Sequence, residues 1–147
     1  MSTPAPAFYV AEPPAAFSVR PPIVVDCSAL SAILFDEPAR DEALARLVGR
    51  SLHAPHLLDH EIVSVALKKG QKGGPAEAFA QALRDYAASD IDLHPVDLVA
   101  QYELAARYGL SAYDAAYLWL AAELRAPLAT FDRRLAEAAQ AHLGTLS

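Results

Sequence analysis

The sequence predicts an α/β fold, a sandwich of helices packed on a mainly parallel β-sheet. Three observations predict it. Short apolar runs suited to buried strands alternate along the chain with helical stretches. Glycine and proline punctuate the helix ends at positions where each is best tolerated. The chain has 147 residues, 54% of them apolar, which is the length of one domain and enough for one core.

The elements follow in order. Met1 to Pro22 holds six of the eleven prolines and shows no apolar period. Residues 1–21 are therefore expected to be a flexible extension that builds no core of its own, with Phe8, Tyr9 and Phe17 as its aromatic residues. Residues 22–147 form the folded domain. Ile23-Val24-Val25 is a continuous apolar run, as buried parallel strands require. It ends in Asp26 and leads to a short helix through Phe35, with Ser28 as its cap. Pro38 opens a second helix that stops at Gly49. Ser51 to Ala54 is a second strand, and a helix from about Leu57 to Lys69 follows Pro55. After the Gly70–Pro75 break come a helix from Ala76 to Ala88, an alternating strand at Ile91 to His94, and a helix ended by Gly109. Ser111 begins the next helix, which runs to about Arg125. Pro127 to Thr130 is a strand, and Asp132 starts the last helix, which ends near His142.

Bulk properties restrict the function. The formal net charge is -6, whereas simple nucleic-acid binders are basic because phosphate neutralisation supplies much of their affinity. An acidic chain acts on nucleic acid when its negative charge gathers where cations bind. The glycine loops that cradle nucleotide phosphates are missing, which disfavours ATP and dinucleotide chemistry. One cysteine, Cys27, permits no internal disulfide and fits a reducing compartment. No signal peptide and no membrane-length apolar stretch is evident, so a soluble cytoplasmic protein is expected.

Four carboxylates then stand out. In open parallel sheets, ligands bind beyond the carboxyl ends of the strands, where Asp26 follows the first strand and Asp132 follows the last. Each also has a structural role available, a turn for Asp26 and a helix cap for Asp132. Ser111 and Asp114 have capping-box spacing, yet Asp114, Tyr117, Leu118 and Ala121 recur at i, i+3, i+4 and i+7, which puts the carboxylate on the apolar face. Glu61 shares a stripe with Leu58, Ile62 and Val65, and Asp59 aligns equally well with Ile62, Val63 and Ala66. Periodicity selects one acid from this helix without naming it. Converging carboxylates repel one another, and divalent cations that prefer hard oxygen ligands compensate them. Ions so held activate a water and stabilise a leaving oxygen, which permits a phosphodiesterase with no nucleophilic side chain.

From Ile23 to about His142, the sequence resembles the PIN-domain family, and in particular its VapC-type toxins. The resemblance rests on Val-Val-Asp26-Cys-Ser-Ala-Leu, on the helix Leu-Leu-Asp-His-Glu61-Ile-Val, on Gly-Leu-Ser-Ala-Tyr-Asp114-Ala-Ala-Tyr-Leu, and on Leu-Ala-Thr-Phe-Asp132-Arg-Arg-Leu. It implies a PIN-like three-layer α/β/α sandwich and a ribonuclease that uses Mg2+ or Mn2+. It also implies dimerisation and inhibition by a cognate antitoxin. It assigns the metal site to Asp26, Glu61, Asp114 and Asp132, choosing Glu61 over Asp59, with Ser28 and Thr130 as helpers. The long N-terminal extension departs from these compact toxins.

Other features are weighed beside it. Lys68, Lys69, Lys72, Arg133 and Arg134 are candidate RNA contacts, against a reading in which cations merely complement helix ends. His53, His56 and His60 share no face and make a poor transition-metal site. Cys27 is expected to be a small core residue. Tyr117, Leu118, Trp119 and Leu120 surround most of one helix, which core burial and a dimer interface would explain together. Two alternatives remain open, a catalytically silent PIN-like binding module and another acidic-site phosphohydrolase.

Overall fold

The computed structural model describes residues 20–146. The expected extension, with Phe8, Tyr9 and Phe17, falls almost wholly outside them. Four strands and seven helices follow in the expected alternation. They are β1 (Pro22–Val25), α1 (Cys27–Leu34), α2 (Arg40–Leu47), β2 (Ser51–Pro55), α3 (Leu58–Gln71), α4 (Ala76–Ala87), β3 (Ile91–His94), α5 (Leu98–Tyr108), α6 (Ala112–Leu124), β4 (Leu128–Ala129) and α7 (Arg133–Leu143).

The strands form one sheet in the order β3-β2-β1-β4, and every pairing is parallel. Ile23 pairs with Leu52, Val24 with Leu128, and Ala54 with Leu93. Side chains alternate across a strand, and β1 is apolar on both sides because both of its faces are covered. Ile23 and Val25 pack with Leu47 of α2 and Ile33 of α1. Val24 faces the larger cluster, built from Leu58 and Ile62 of α3, Leu118 and Leu120 of α6, and Leu135 of α7. The result is a three-layer α/β sandwich.

Two expectations about helix starts are corrected. The cap of α1 is Asp26, not Ser28: the extended end of β1 leaves the Asp26 backbone at φ -93 and ψ 177, and its carboxylate accepts from the Ala29 amide. Pro38 does not open α2 but sits second in a turn closed by the Arg40 amide on the Glu37 carbonyl, where its fixed φ is equally suited. The helix itself begins at Arg40. Gly109 ends α5 as expected, at φ 65, a left-handed conformation that glycine adopts without strain.

The apolar circumference of α6 is resolved mainly by burial. Tyr117, Leu118 and Leu120 are each at most 1% exposed within a single chain. Trp119 is half-buried at the edge of the same core.

Candidate active site

The chain order creates the site. After β1 the chain builds β2 and β3 on one side of it, then returns to place β4 on the other. Between β1 and β4 the winding reverses, and the loops beyond their carboxyl ends diverge to leave a crevice. Asp26 leaves β1 there, and Thr130 and Asp132 follow β4.

Asp26 is 5% exposed and is the hub. Its Oδ1 accepts from the Ala29 amide at 3.0 Å and from the Ser28 hydroxyl at 2.7 Å. Its Oδ2 accepts from the Thr130 hydroxyl at 2.5 Å. Each hydroxyl accepts in turn from a backbone amide, Ser28 Oγ from Phe131 at 2.8 Å and Thr130 Oγ1 from Asp132 at 2.8 Å. Those amides can only donate, so both hydroxyls must turn their protons toward Asp26. The loop after β4 is thereby tied to the end of β1, and the Asp26 carboxylate is held in one orientation.

The other acids converge from separate elements. Glu61 lies in the first turn of α3, half-buried, and accepts from the Tyr117 hydroxyl of α6 at 2.5 Å. Asp114 lies in the first turn of α6, whose cap is Ser111, with the Ser111 Oγ accepting from the Asp114 amide. Asp132 caps α7 through its Oδ1, which accepts from the Leu135 amide at 3.0 Å. The cap weighed for Asp132 is therefore made by its own carboxylate, whereas at α6 it is the Ser111 hydroxyl that caps.

Electrostatics show that the four acids share one field. Burial raises the pKa of Asp26, and the Asp132 charge adds to the rise. Burial also raises Glu61, followed by repulsion from Asp26 and Asp114. Asp114 is raised by burial, then by Asp132 and Asp26, with Arg134 partly opposing. A folded-state pKa above the unfolded value means that stability is complete below the unfolded value and is lost as pH rises through the folded one. His94 and His142, whose pKa values burial lowers, act in the opposite sense. Comparison with an Asp114→Asn variant isolates the carboxylate. Without added metal, the melting temperature of the variant relative to wild type should climb as pH rises above about 4, the ordinary range of carboxylates. A difference that stays flat would exclude the repulsive field.

The donor set suits a hard divalent cation, since such an ion would relieve the burial and repulsion of Asp26, Glu61 and Asp114. Among the described residues, no three His, Cys, Asp or Glu side chains are arranged to hold an ion directly. A magnesium site, however, keeps several waters and needs only one or two carboxylates. The fit is with a water-rich site rather than a closed cage.

Of the other candidates, Arg134 acts on Asp114 through its charge and donates to the Gly109 carbonyl at 2.6 Å. Lys69 instead pairs with Glu37 at 3.0 Å, and Arg133 pairs with Glu137 at 3.3 Å. Lys68 and Lys72 sit exposed at the far end of α3. Asp59 is exposed and receives the Tyr86 hydroxyl at 2.7 Å, away from the other acids. His53 meets His94 of β3 at 2.9 Å, while His56 and His60 are exposed. Burial pushes the Cys27 thiol up to about 11, which favours the protonated form near neutrality. Sequence reasoning missed Tyr117, which counted there only as an apolar-face residue.

The chain is similar to known proteins. The family model described as "PIN domain" matches residues 23–141. The chain is 38% identical over 122 residues to "Ribonuclease VapC9" of Mycobacterium tuberculosis H37Rv, covering 81% of this chain and 92% of that protein. It is 31% identical to "Ribonuclease VapC3" of Pyrobaculum aerophilum, covering 78% and 92%. The crystal structure of PAE2754 from Pyrobaculum aerophilum superposes with a TM-score of 0.66 at 24% identity, over 86% of this chain and 98% of that one.

Proposed function

The chain belongs to the PIN-domain family, and from that premise we propose how it acts as an endoribonuclease toxin of a toxin–antitoxin pair. The observation that carries the reading is the Asp26 hub, a buried carboxylate oriented by Ser28 and Thr130 within the field of three further acids.

Asp26, Glu61, Asp114 and Asp132 would hold Mg2+ or Mn2+. Such an ion would supply a water of lowered pKa and positive charge for the leaving oxygen. The protein contributes the rest. Ser28 and Thr130 fix the orientation of the Asp26 carboxylate, and the Tyr117 hydroxyl does the same for Glu61. Arg134 brings positive charge beside Asp114, where it can meet an RNA phosphate. Lys68, Lys69, Lys72 and Arg133 lie farther out and would guide the strand as a diffuse field. The net charge of -6 makes affinity for RNA depend on the metal. Residues 22–147 form the nuclease domain and act as a homodimer in the cytoplasm, silenced by a cognate antitoxin. Among the described residues, no helix is long and apolar enough to cross a membrane.

The test is cleavage of a mixed RNA pool by purified, antitoxin-free protein with manganese, repeated with EDTA. Cleavage with manganese and its loss with EDTA are expected. Cleavage that persists in EDTA would exclude the metal. A folded protein that cuts no RNA with any divalent ion would leave only a binding role.

A further inference from the structure

On the sheet face opposite α3, a cavity of about 690 Å³ opens between α2 and α7 over β1 and β4. Its floor is apolar, with Ile23, Leu47, Leu128, Ala129 and Leu143. Its rim is charged, with Glu42, Arg46 and Arg50. We propose that the N-terminal segment of this same chain, residues 1–19, folds back and occupies this cavity.

Three observations support the assignment. The first is position. The Ser51 amide donates to the Pro21 carbonyl at 3.0 Å, and Arg50, a residue of the cavity rim, donates to the Pro22 carbonyl at 3.4 Å. The segment therefore joins the described chain at the mouth of the cavity. The second is length. The eleven residues of α7 span about 16 Å at 1.5 Å per residue, a distance that roughly five extended residues cover. A segment of 19 residues traverses it with chain to spare. The third is chemistry. The segment offers Phe8, Tyr9, Val10, Phe17 and Val19 to an apolar floor. Its one charged side chain is Glu12, and Arg46 on the rim forms no ion pair among the described residues.

Docking there reaches the acids from behind. Ala29 and Thr130 line the cavity and are also two of the groups that bond the Asp26 carboxylate. An occupied cavity packs the wall that keeps Asp26 in place.

The test uses the full chain with the photoreactive p-benzoylphenylalanine in place of Phe17, irradiated and mapped by mass spectrometry. The expected result is cross-links within one chain, to peptides of α2 or α7, at a yield independent of protein concentration. Cross-links between two chains would assign the cavity to a second copy and overturn the proposal, as would cross-links that avoid both helices. Hydrogen exchange gives a second readout on the full chain with Phe8→Ser and Phe17→Ser together. Amides of β4 and α7 should exchange several-fold faster than in wild type. Unchanged exchange at both elements would equally overturn the proposal.

Discussion

Asp114→Asn should cut RNA cleavage roughly 100- to 1000-fold, the cost of deleting one element of a preorganised electrostatic site, while leaving the protein folded. The fold survives because the cap of α6 is the Ser111 hydroxyl on the Asp114 backbone amide, which asparagine retains. Asparagine also has nearly the shape of aspartate, so the Asp114 environment is not emptied. What disappears is a negative charge coupled to Asp26 and Asp132, and with it part of the attraction for a divalent ion. The variant should melt no lower than wild type when both are metal-free, since one repulsive partner is gone. Initial cleavage rates at saturating manganese, with melting curves on the same preparations, check both halves. Wild-type rates in a folded variant would remove Asp114 from the site.

Tyr117→Ala should be the most destabilising single change at the site, by about 3–5 kcal/mol, the usual range for truncating a buried aromatic ring. Tyr117 is 1% exposed and lies in the main core beside Leu118 and Leu120. For a chain of this size, such a loss lowers the melting temperature by roughly 10 °C or more. Tyr117→Phe separates packing from positioning. It keeps the ring and removes only the hydroxyl that Glu61 accepts at 2.5 Å. Its stability cost should be about 1 kcal/mol, because water can reach the half-buried Glu61 and replace the bond. Cleavage should still fall roughly tenfold, the low end of what loss of an outer partner of a metal ligand costs. If Tyr117→Phe cuts RNA at the wild-type rate, the hydroxyl has no part in holding Glu61.

Most of the fold was legible along the chain because its determinants are local. Each strand is a short apolar or alternating run, and each helix is bounded by glycine, proline or a capping residue within a turn of its end. The misplaced starts of α1 and α2 were errors of the same local kind. Ser28 and Asp26 are both good caps two residues apart, and Pro38 serves a turn as well as a helix start. The positions of the acids were also legible, since a carboxylate in an apolar stripe or at a strand end is conspicuous by itself.

What joined those acids into one site was not local. Asp59 and Glu61 occupy equivalent stripes of α3, and periodicity alone could not separate them. The structure places Asp59 against Tyr86 and Glu61 against Tyr117, a partner 56 positions away in sequence. Ser28 looked like a cap and Thr130 like a strand end, yet they meet across Asp26, 102 positions apart. The sequence by itself determined the elements and the stock of carboxylates, because both depend on neighbours within a few residues. Only the tertiary structure decided which acids face one another, because the crevice exists only once β4 has paired beside β1.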